Sequence, residues 1–302
     1  MSTRYQKQIL RGVIFFGLKS VALVSRILPW NVGIWFGGSL GWLSSYLLAK
    51  ERKRAKANLT VAFGGEKSPQ ELARIMRGSF ENLGKGLIEI LNMTRLRREE
   101  LESLVIFDGE DHLKRAYAEG KGVILITGHI GNWELMAATL ALRGYPLSVI
   151  AAPLYDPRID EWISHTRERF GVQTISRGTP SSSRKILSVL RGKEVLGLLI
   201  DQDTRTEGVF VDFFNRKAYT PSGAAGLAIR SGAIVLTCFI VRLPGNRHRI
   251  SIQEPVRLIS SGDYSRDLLL NTALFTRAIE DCVRHHPDQW VWMHRRWKTE
   301  AS

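Results

Sequence analysis

The chain is expected to fold as an α/β protein, with a largely parallel central sheet flanked by helices and an N-terminal membrane-associated helical segment ahead of it. Three observations carry that expectation. Short apolar runs at residues 123–127 and 195–200 read as strands buried on both faces, as in a parallel sheet. Helix-forming stretches opened by caps or prolines and closed by glycines alternate with them. The first 56 residues join the most apolar part of the chain to ten basic residues and one acid, Glu51.

That N-terminal segment holds +9 of a formal net charge of +14, set by 43 Lys and Arg against 29 Asp and Glu in 302 residues. Such a charge favours an anionic partner: nucleic acid, acidic lipid or an acidic protein. Interleaving with Phe15, Phe16, Trp30, Trp35, Phe36 and Trp42 points to a membrane surface, and no nucleic-acid recognition motif accompanies the charge. The early apolar run, residues 13–18, is cut by Lys19 and no small-residue cleavage site follows, so the segment is expected to stay attached. Residues 27–49 carry no charge and are long enough to span a bilayer, yet include Pro29, Asn31, Gly33, Gly37, Gly38 and Gly41. Helices lying in the interface are the preferred reading and a single span the alternative. Lys50, Arg52, Lys53 and Arg54 then face the cytoplasm. Residues 1–56 are taken as the anchor and 57–302 as the globular domain.

In order along that domain, S-P-Q-E at Ser68–Glu71 is a capping box with proline at the first helical position and opens a helix toward Leu91. Residues 109–119 read as a helix, 123–127 as a strand, 132–142 as a helix closed by Gly144, and 147–151 as a strand. Asp156-Pro157 opens a helix that Gly171 ends; another lies at 183–190, then a strand at 195–200. Thr220-Pro221 is expected to start a helix that stops at Gly232, with strands at 234–241 and 249–253. Cys238 and Cys282 sit in apolar contexts without metal-ligand spacing and read as structural thiols.

Chemistry is expected at G-H-I-G-N-W-E-L, residues 128–135, where the first strand of that series turns into a helix at a strand's C-terminal end. His129 in the loop and Glu134 on the first helical turn are spaced so that the carboxylate reaches back to the ring, holds one N–H and leaves the other nitrogen to act as a general base. The structural alternative is a capping His and an acid that complements the helix dipole. Asn132 either caps that helix or donates to a developing oxyanion. Arg167 lies on the apolar stripe of its helix, where a guanidinium needs a partner: a substrate anion, a group of the site, or a structural acid such as Asp160. Asp201 ends a buried strand, where a turn-forming Asp is the ordinary reading.

The block at 128–135 resembles the His-x4-acid motif of glycerolipid-type acyltransferases, and within them the late (lauroyl/myristoyl) acyltransferases of lipid A biosynthesis. The resemblance extends over most of the chain. Arg54-Ala-Lys-Ala-Asn58-Leu59 is similar to that family's opening block, Asp156-Pro157-Arg-Ile-Asp160 with Arg167 to its N-P-x-x-D segment, and residues 285–298 to its closing block around Gln289, Trp292, His294, Arg295 and Arg296. Ala152-Pro153 replaces a family-typical Arg-Pro, and Asp212 a usual proline.

The resemblance implies a membrane-bound enzyme at the cytoplasmic face of a bacterial inner membrane. It would move a fatty acyl chain from acyl carrier protein to a hydroxyl of a lipid A precursor, an anionic glycolipid. It implies His129 and Glu134 as the catalytic dyad, substrate contacts from Asn132, Arg167, Asp201, Arg295 and Arg296, no metal, and no cofactor beyond the acyl carrier protein thioester. Two other functions fit the same residues: acylation of a different lipid, such as a phosphatidylinositol mannoside, and non-catalytic binding to a membrane surface.

Overall fold

The computed structural model describes residues 3–300. Three helices open the chain, α1 (Thr3–Ile27), α2 (Trp30–Leu47) and α3 (Ala49–Phe63), followed by the long α4 (Pro69–Asn92). The expected capping box opens α4: Ser68 Oγ accepts from the Glu71 N–H at 3.3 Å and the Glu71 carboxylate accepts from the Ser68 N–H at 2.8 Å.

The uncharged run 27–49 is broken by Pro29 and by Leu48, so α2 has only 18 residues. Among the described residues no helix is long and apolar enough to cross a membrane, which removes the single-span reading. The glycines of this run have a packing role. Gly33, Gly37 and Gly41 recur every fourth residue on one face of α2, and all three are buried. A side chain at Gly37 would run into the Gly84 carbonyl and Ile88 of α4, and one at Gly41 into the Phe80 carbonyl, so small residues set a close backbone approach of the two helices. The other side of α2 leaves Trp35, Trp42, Leu43 and Leu47 exposed. Ala55, Leu59, Ala62 and Phe63 of α3 join the core beside Phe80, Phe214 and Trp292. Residue 56, where the sequence places the end of the anchor, lies inside this unbroken helix.

The remaining elements run α5 (Arg98–Ser103), β1 (Val105–Asp108), α6 (Glu110–Ala118), β2 (Val123–Thr127), α7 (Trp133–Leu142), β3 (Leu147–Ala151), α8 (Pro157–Arg169) and β4 (Gln173–Ser176). They continue through α9 (Ser182–Arg191), β5 (Val195–Leu199), β6 (Gly208–Phe213), β7 (Arg216–Pro221), α10 (Gly223–Ser231), β8 (Ile234–Arg242), β9 (His248–Ile252) and α11 (Tyr264–His285). Seven strands form one sheet in the order β1-β9-β8-β2-β5-β3-β4. Every pairing in it is parallel except β8 with β9, which bears out the largely parallel sheet.

All five residues of the central strand β2 are buried, and its alternation divides the core. Val123 and Leu125 join Leu135, Met136 and Ala138 of α7 on one face; Ile124 and Ile126 join Ala225 of α10 and Phe275 and Ile279 of α11 on the other.

One boundary differs from expectation. Thr220-Pro221 ends a strand instead of starting a helix, and α10 begins at Gly223. Its strand, β7, pairs antiparallel with β6 across a two-residue turn, Phe214-Asn215, both at positive φ (55° and 57°). Buried Phe214 holds that turn through edge contacts with Phe63 and Phe213, and its N–H donates to Glu280 at 2.7 Å. The edge strand β4 was not anticipated, because a four-residue run with only Ile175 buried shows too little alternation to read.

Candidate active site

The parallel pairing of β2 with β5 sets Thr127 opposite Leu199, so the two strands run out of the sheet level with each other. Two residues further on stand His129 and Asp201. The turn between β2 and α7 is held from its far side: Ile130 bridges Trp290, the His129 carbonyl accepts from the Val291 N–H at 3.1 Å, and the Gln289 carbonyl from the Gly131 N–H at 3.0 Å. Gly131 has φ +59° and lies against the Ile240 carbonyl, a position with no room for a side chain.

The acid that holds His129 is Asp201. His129 Nδ1 lies 2.7 Å from Asp201 Oδ1, while the His129 backbone N–H and the Trp290 indole N–H both donate to Asp201 Oδ2 at 2.7 Å. Burial by itself raises the carboxyl, but the His129 ring beside it and the hydrogen bonds from His129 hold it far below the usual carboxylate range. With Nδ1–H donated to this carboxylate, Nε2 is the unprotonated nitrogen and accepts from the Gln202 side-chain amide at 3.0 Å. The same amide donates to His294 Nε2 at 2.7 Å. Burial, with His129 and Arg54 nearby, pushes His294 down to about 4, so its ring is neutral and can accept. Trp133 and His294 each stand edge-on to the His129 ring at 4.9 Å between centroids.

The expected contact of Glu134 with His129 does not form. Glu134 turns away on the first turn of α7 and is gripped by the fork of Arg167, Nη2 to Oε1 at 2.6 Å and Nε to Oε2 at 2.8 Å. Both carboxylate oxygens are thereby taken. Arg167 therefore has its partner within the protein, and that partner is Glu134 and not Asp160. Burial opposes the Arg167 charge, and the bonds to Glu134 overcome it, leaving its pKa raised.

Three more of the expected substrate contacts land differently. Asn132 is 2% exposed: its Oδ1 caps α7 by accepting from the Leu135 N–H at 3.1 Å, and its amide donates an N–H to Glu89 at 2.7 Å, so it serves as the helix cap and as a tie to α4. Asp201 is spent on His129 and Trp290. Arg296 is 0% exposed, donates to the Tyr219 carbonyl at 2.7 Å and Thr220 Oγ1 at 2.6 Å, and stacks over Phe213, so it ties the closing block to β7 out of a substrate's reach. Arg295 is exposed and has no ion-pair partner among the described residues.

Sequence reasoning did not single out Gln202, Trp290 or the support beneath Asn132. Glu89 of α4, fully buried, accepts from Asn132, from Arg242 Nη2 at 2.8 Å and from His248 Nε2 at 2.9 Å. Burial raises the Glu89 carboxyl, but His248 and Arg242 bring it down to about 2. The one available signal was a lone acid in an apolar helical stretch, L-I-E-I. Asn58 of the opening block holds the closing block directly, its amide donating to the Trp292 carbonyl at 2.7 Å and the His294 carbonyl at 2.6 Å.

Neither cysteine supplies a nucleophile here: burial pushes both thiols up to about 12, and Cys238 Sγ faces Met136 Sδ at 3.5 Å. The arrangement is a buried carboxylate, an imidazole oriented by it, and an outer ring nitrogen at a partly open surface, the parts of a general base that activates a hydroxyl.

Comparison with known proteins agrees with this chemistry. The model of the bacterial lipid A biosynthesis acyltransferases matches residues 3–299. A lipid A biosynthesis acyltransferase of Haemophilus influenzae is 26% identical over 96% of this chain and 88% of its own length. A lipid A biosynthesis palmitoleoyltransferase of Escherichia coli is 26% identical over 90% and 87%. A phosphatidylinositol mannoside acyltransferase of Mycobacterium tuberculosis is 26% identical over 76% and 72%. The chain belongs to the bacterial lipid A biosynthesis acyltransferase family.

Proposed function

We propose that this protein transfers a fatty acyl chain from acyl carrier protein to a hydroxyl of a lipid A precursor, working at the cytoplasmic face of a bacterial inner membrane. The observation that carries the reading is the His129–Asp201 pair, set at the strand ends of a chain that matches this family from end to end.

In this scheme His129 Nε2 takes the proton of the acceptor hydroxyl as its oxygen attacks the thioester carbonyl. Asp201 keeps the imidazole in the reactive tautomer and stabilises the imidazolium. When the tetrahedral intermediate collapses, the C–S bond breaks, the thiolate leaves with the carrier, and the proton on His129 passes to it. Holding acceptor and thioester together at the base makes the step effectively unimolecular, and no enzyme nucleophile is needed. Gln202, bonded to Nε2 in the resting state, marks where the hydroxyl would bind. Glu134 and Arg167 fix the first turn of α7 beside the reacting groups.

The membrane part rests on surface chemistry. Phe16, Val24 and Ile27 of α1 and Trp35, Trp42 and Leu47 of α2 are exposed, next to Lys50, Arg52 and Lys53, a combination suited to an anionic interface and to an acidic carrier protein.

The mycobacterial relative supports a second reading, with a phosphatidylinositol mannoside as acceptor. Purified protein incubated with acyl carrier protein thioester and each acceptor distinguishes them: acylated lipid A precursor supports the first reading, and acylated mannoside the second. A protein that only binds membranes acylates neither.

A further inference from the structure

Away from the His129 cluster, the fold leaves a cavity of about 600 Å³ between α1 and α8, a volume typical of a small-molecule site. Phe15, Ala22 and Leu23 of α1 and Trp162 of α8 give it apolar walls. Leu23 is 64% exposed, so the cavity opens onto the surface where Phe16, Val24 and Ile27 of α1, and Leu154 and Tyr155 ahead of α8, are exposed as well.

Its charges are uneven. Arg158 is paired with Asp156 at 2.7 Å and lies over the Phe15 ring, and Lys19 stands over the same ring. His165 turns its Nδ1 to the Glu161 carbonyl, and Glu161 is the one acid among the lining residues. Neither Lys19 nor Arg26 has an ion-pair partner among the described residues, so two cations border an apolar, surface-open volume.

We propose that this cavity holds one hydrocarbon chain of a membrane phospholipid whose anionic headgroup rests on Lys19 and Arg26. The proposal rests on the membrane-surface reading of α1 and α2 given above. A chain in the cavity replaces water against apolar walls, and the headgroup supplies counter-charge to two cations that have no ion-pair partner among the described residues. The acyl chain of the thioester is a different matter. Arg167, which reaches the site through Glu134, lies five residues beyond Trp162 and so about 140° round the helix from it. The cavity therefore faces away from the side of α8 that holds Glu134.

Tryptophan quenching tests it on the full chain. Vesicles of phosphatidylglycerol with dibrominated acyl chains should quench the parent, and the part of the quenching that disappears in Trp162→Phe reports the cavity. Lys19→Gln and Arg26→Gln should each raise the half-saturating lipid concentration about fivefold. Ala22→Phe should fill the cavity and abolish the Trp162 component while the protein still sediments with the vesicles and keeps its melting temperature. If Ala22→Phe does not fold, the Trp162 component and the two charge variants still decide the matter.

Several results overturn the proposal. One is sedimentation without a Trp162 component. A second is equal quenching by phosphatidylcholine, which would leave the two cations without a role. A third is loss of the Trp162 component on adding lauroyl-pantetheine, which would assign the cavity to the acyl donor. Failure to sediment with any vesicle removes the membrane reading itself, and the proposal with it.

Discussion

His129 and Asp201 meet because β2 and β5 are parallel and in register, with Thr127 opposite Leu199, so that residues 72 apart in sequence stand 2.7 Å apart at the sheet edge. The carboxylate grips both the ring and the backbone N–H of His129, so one side chain sets the position of the residue and the tautomer of its ring.

Asp201→Asn is therefore expected to lower kcat by roughly 10³–10⁴-fold, the scale seen when an orienting carboxylate is neutralised without being removed. His129→Ala should lose at least as much. Glu134→Gln, whose carboxylate is bound to Arg167 and not to the ring, should keep a larger share of kcat than Asp201→Asn. A Glu134→Gln protein that loses more kcat than Asp201→Asn would return the orienting role to Glu134.

The Glu134–Arg167 pair is expected to act first on stability. Its side chains are 8% and 14% exposed, and each single change strands the other charge. Arg167→Ala should destabilise by about 3–5 kcal/mol, the cost of leaving a buried charge unpaired. The double variant with Glu134→Ala should lose much less than the sum of the two. Arg167→Lys, which keeps the charge but not the fork, should fall between parent and Arg167→Ala. Urea denaturation of the parent, the two single alanine variants and the double variant measures the coupling. An inactive Arg167→Ala protein as stable as the parent would place the guanidinium with substrate instead.

Stability should fall in two stages on acidification. His294 is lowered from 6.5 to about 4 in the folded state. Between those values the unfolded chain binds the proton first, so stability declines as pH falls from about 6.5 toward 4. Glu89 is lowered from 4.5 to about 2, and the stabilisation from its bonds to Arg242, His248 and Asn132 is present above 4.5 and lost as pH falls toward 2. Thermal melts from pH 7.5 to 3 should show both stages in the parent. His294→Gln should lack the upper one, and Glu89→Gln, already weakened at neutral pH, should lack the lower. A parent profile flat from pH 7 to 5 would mean that His294 is not buried as a neutral ring.

Much of this protein was determined by its sequence alone. Patterns confined to a few adjacent residues carry their own physical cause. The capping box at Ser68, the buried run of β2, the helix after Asn132 and the Asp156-Pro157 start of α8 all stand where the residues put them. His129 was legible as a candidate base for the same reason, since a strand, a glycine and a helix start place it at a strand's end.

Which acid serves it was decided only by the tertiary structure. Glu134 is near in sequence, but Arg167 comes from another helix and takes both its oxygens, while Asp201 arrives through strand pairing. The roles of Asn132, Arg296 and the α2 glycines were settled the same way, by a buried Glu89, by the β7 backbone and by the surface of α4. A lone sequence shows which groups need a partner when buried; the packing of distant elements determines which partner each one finds.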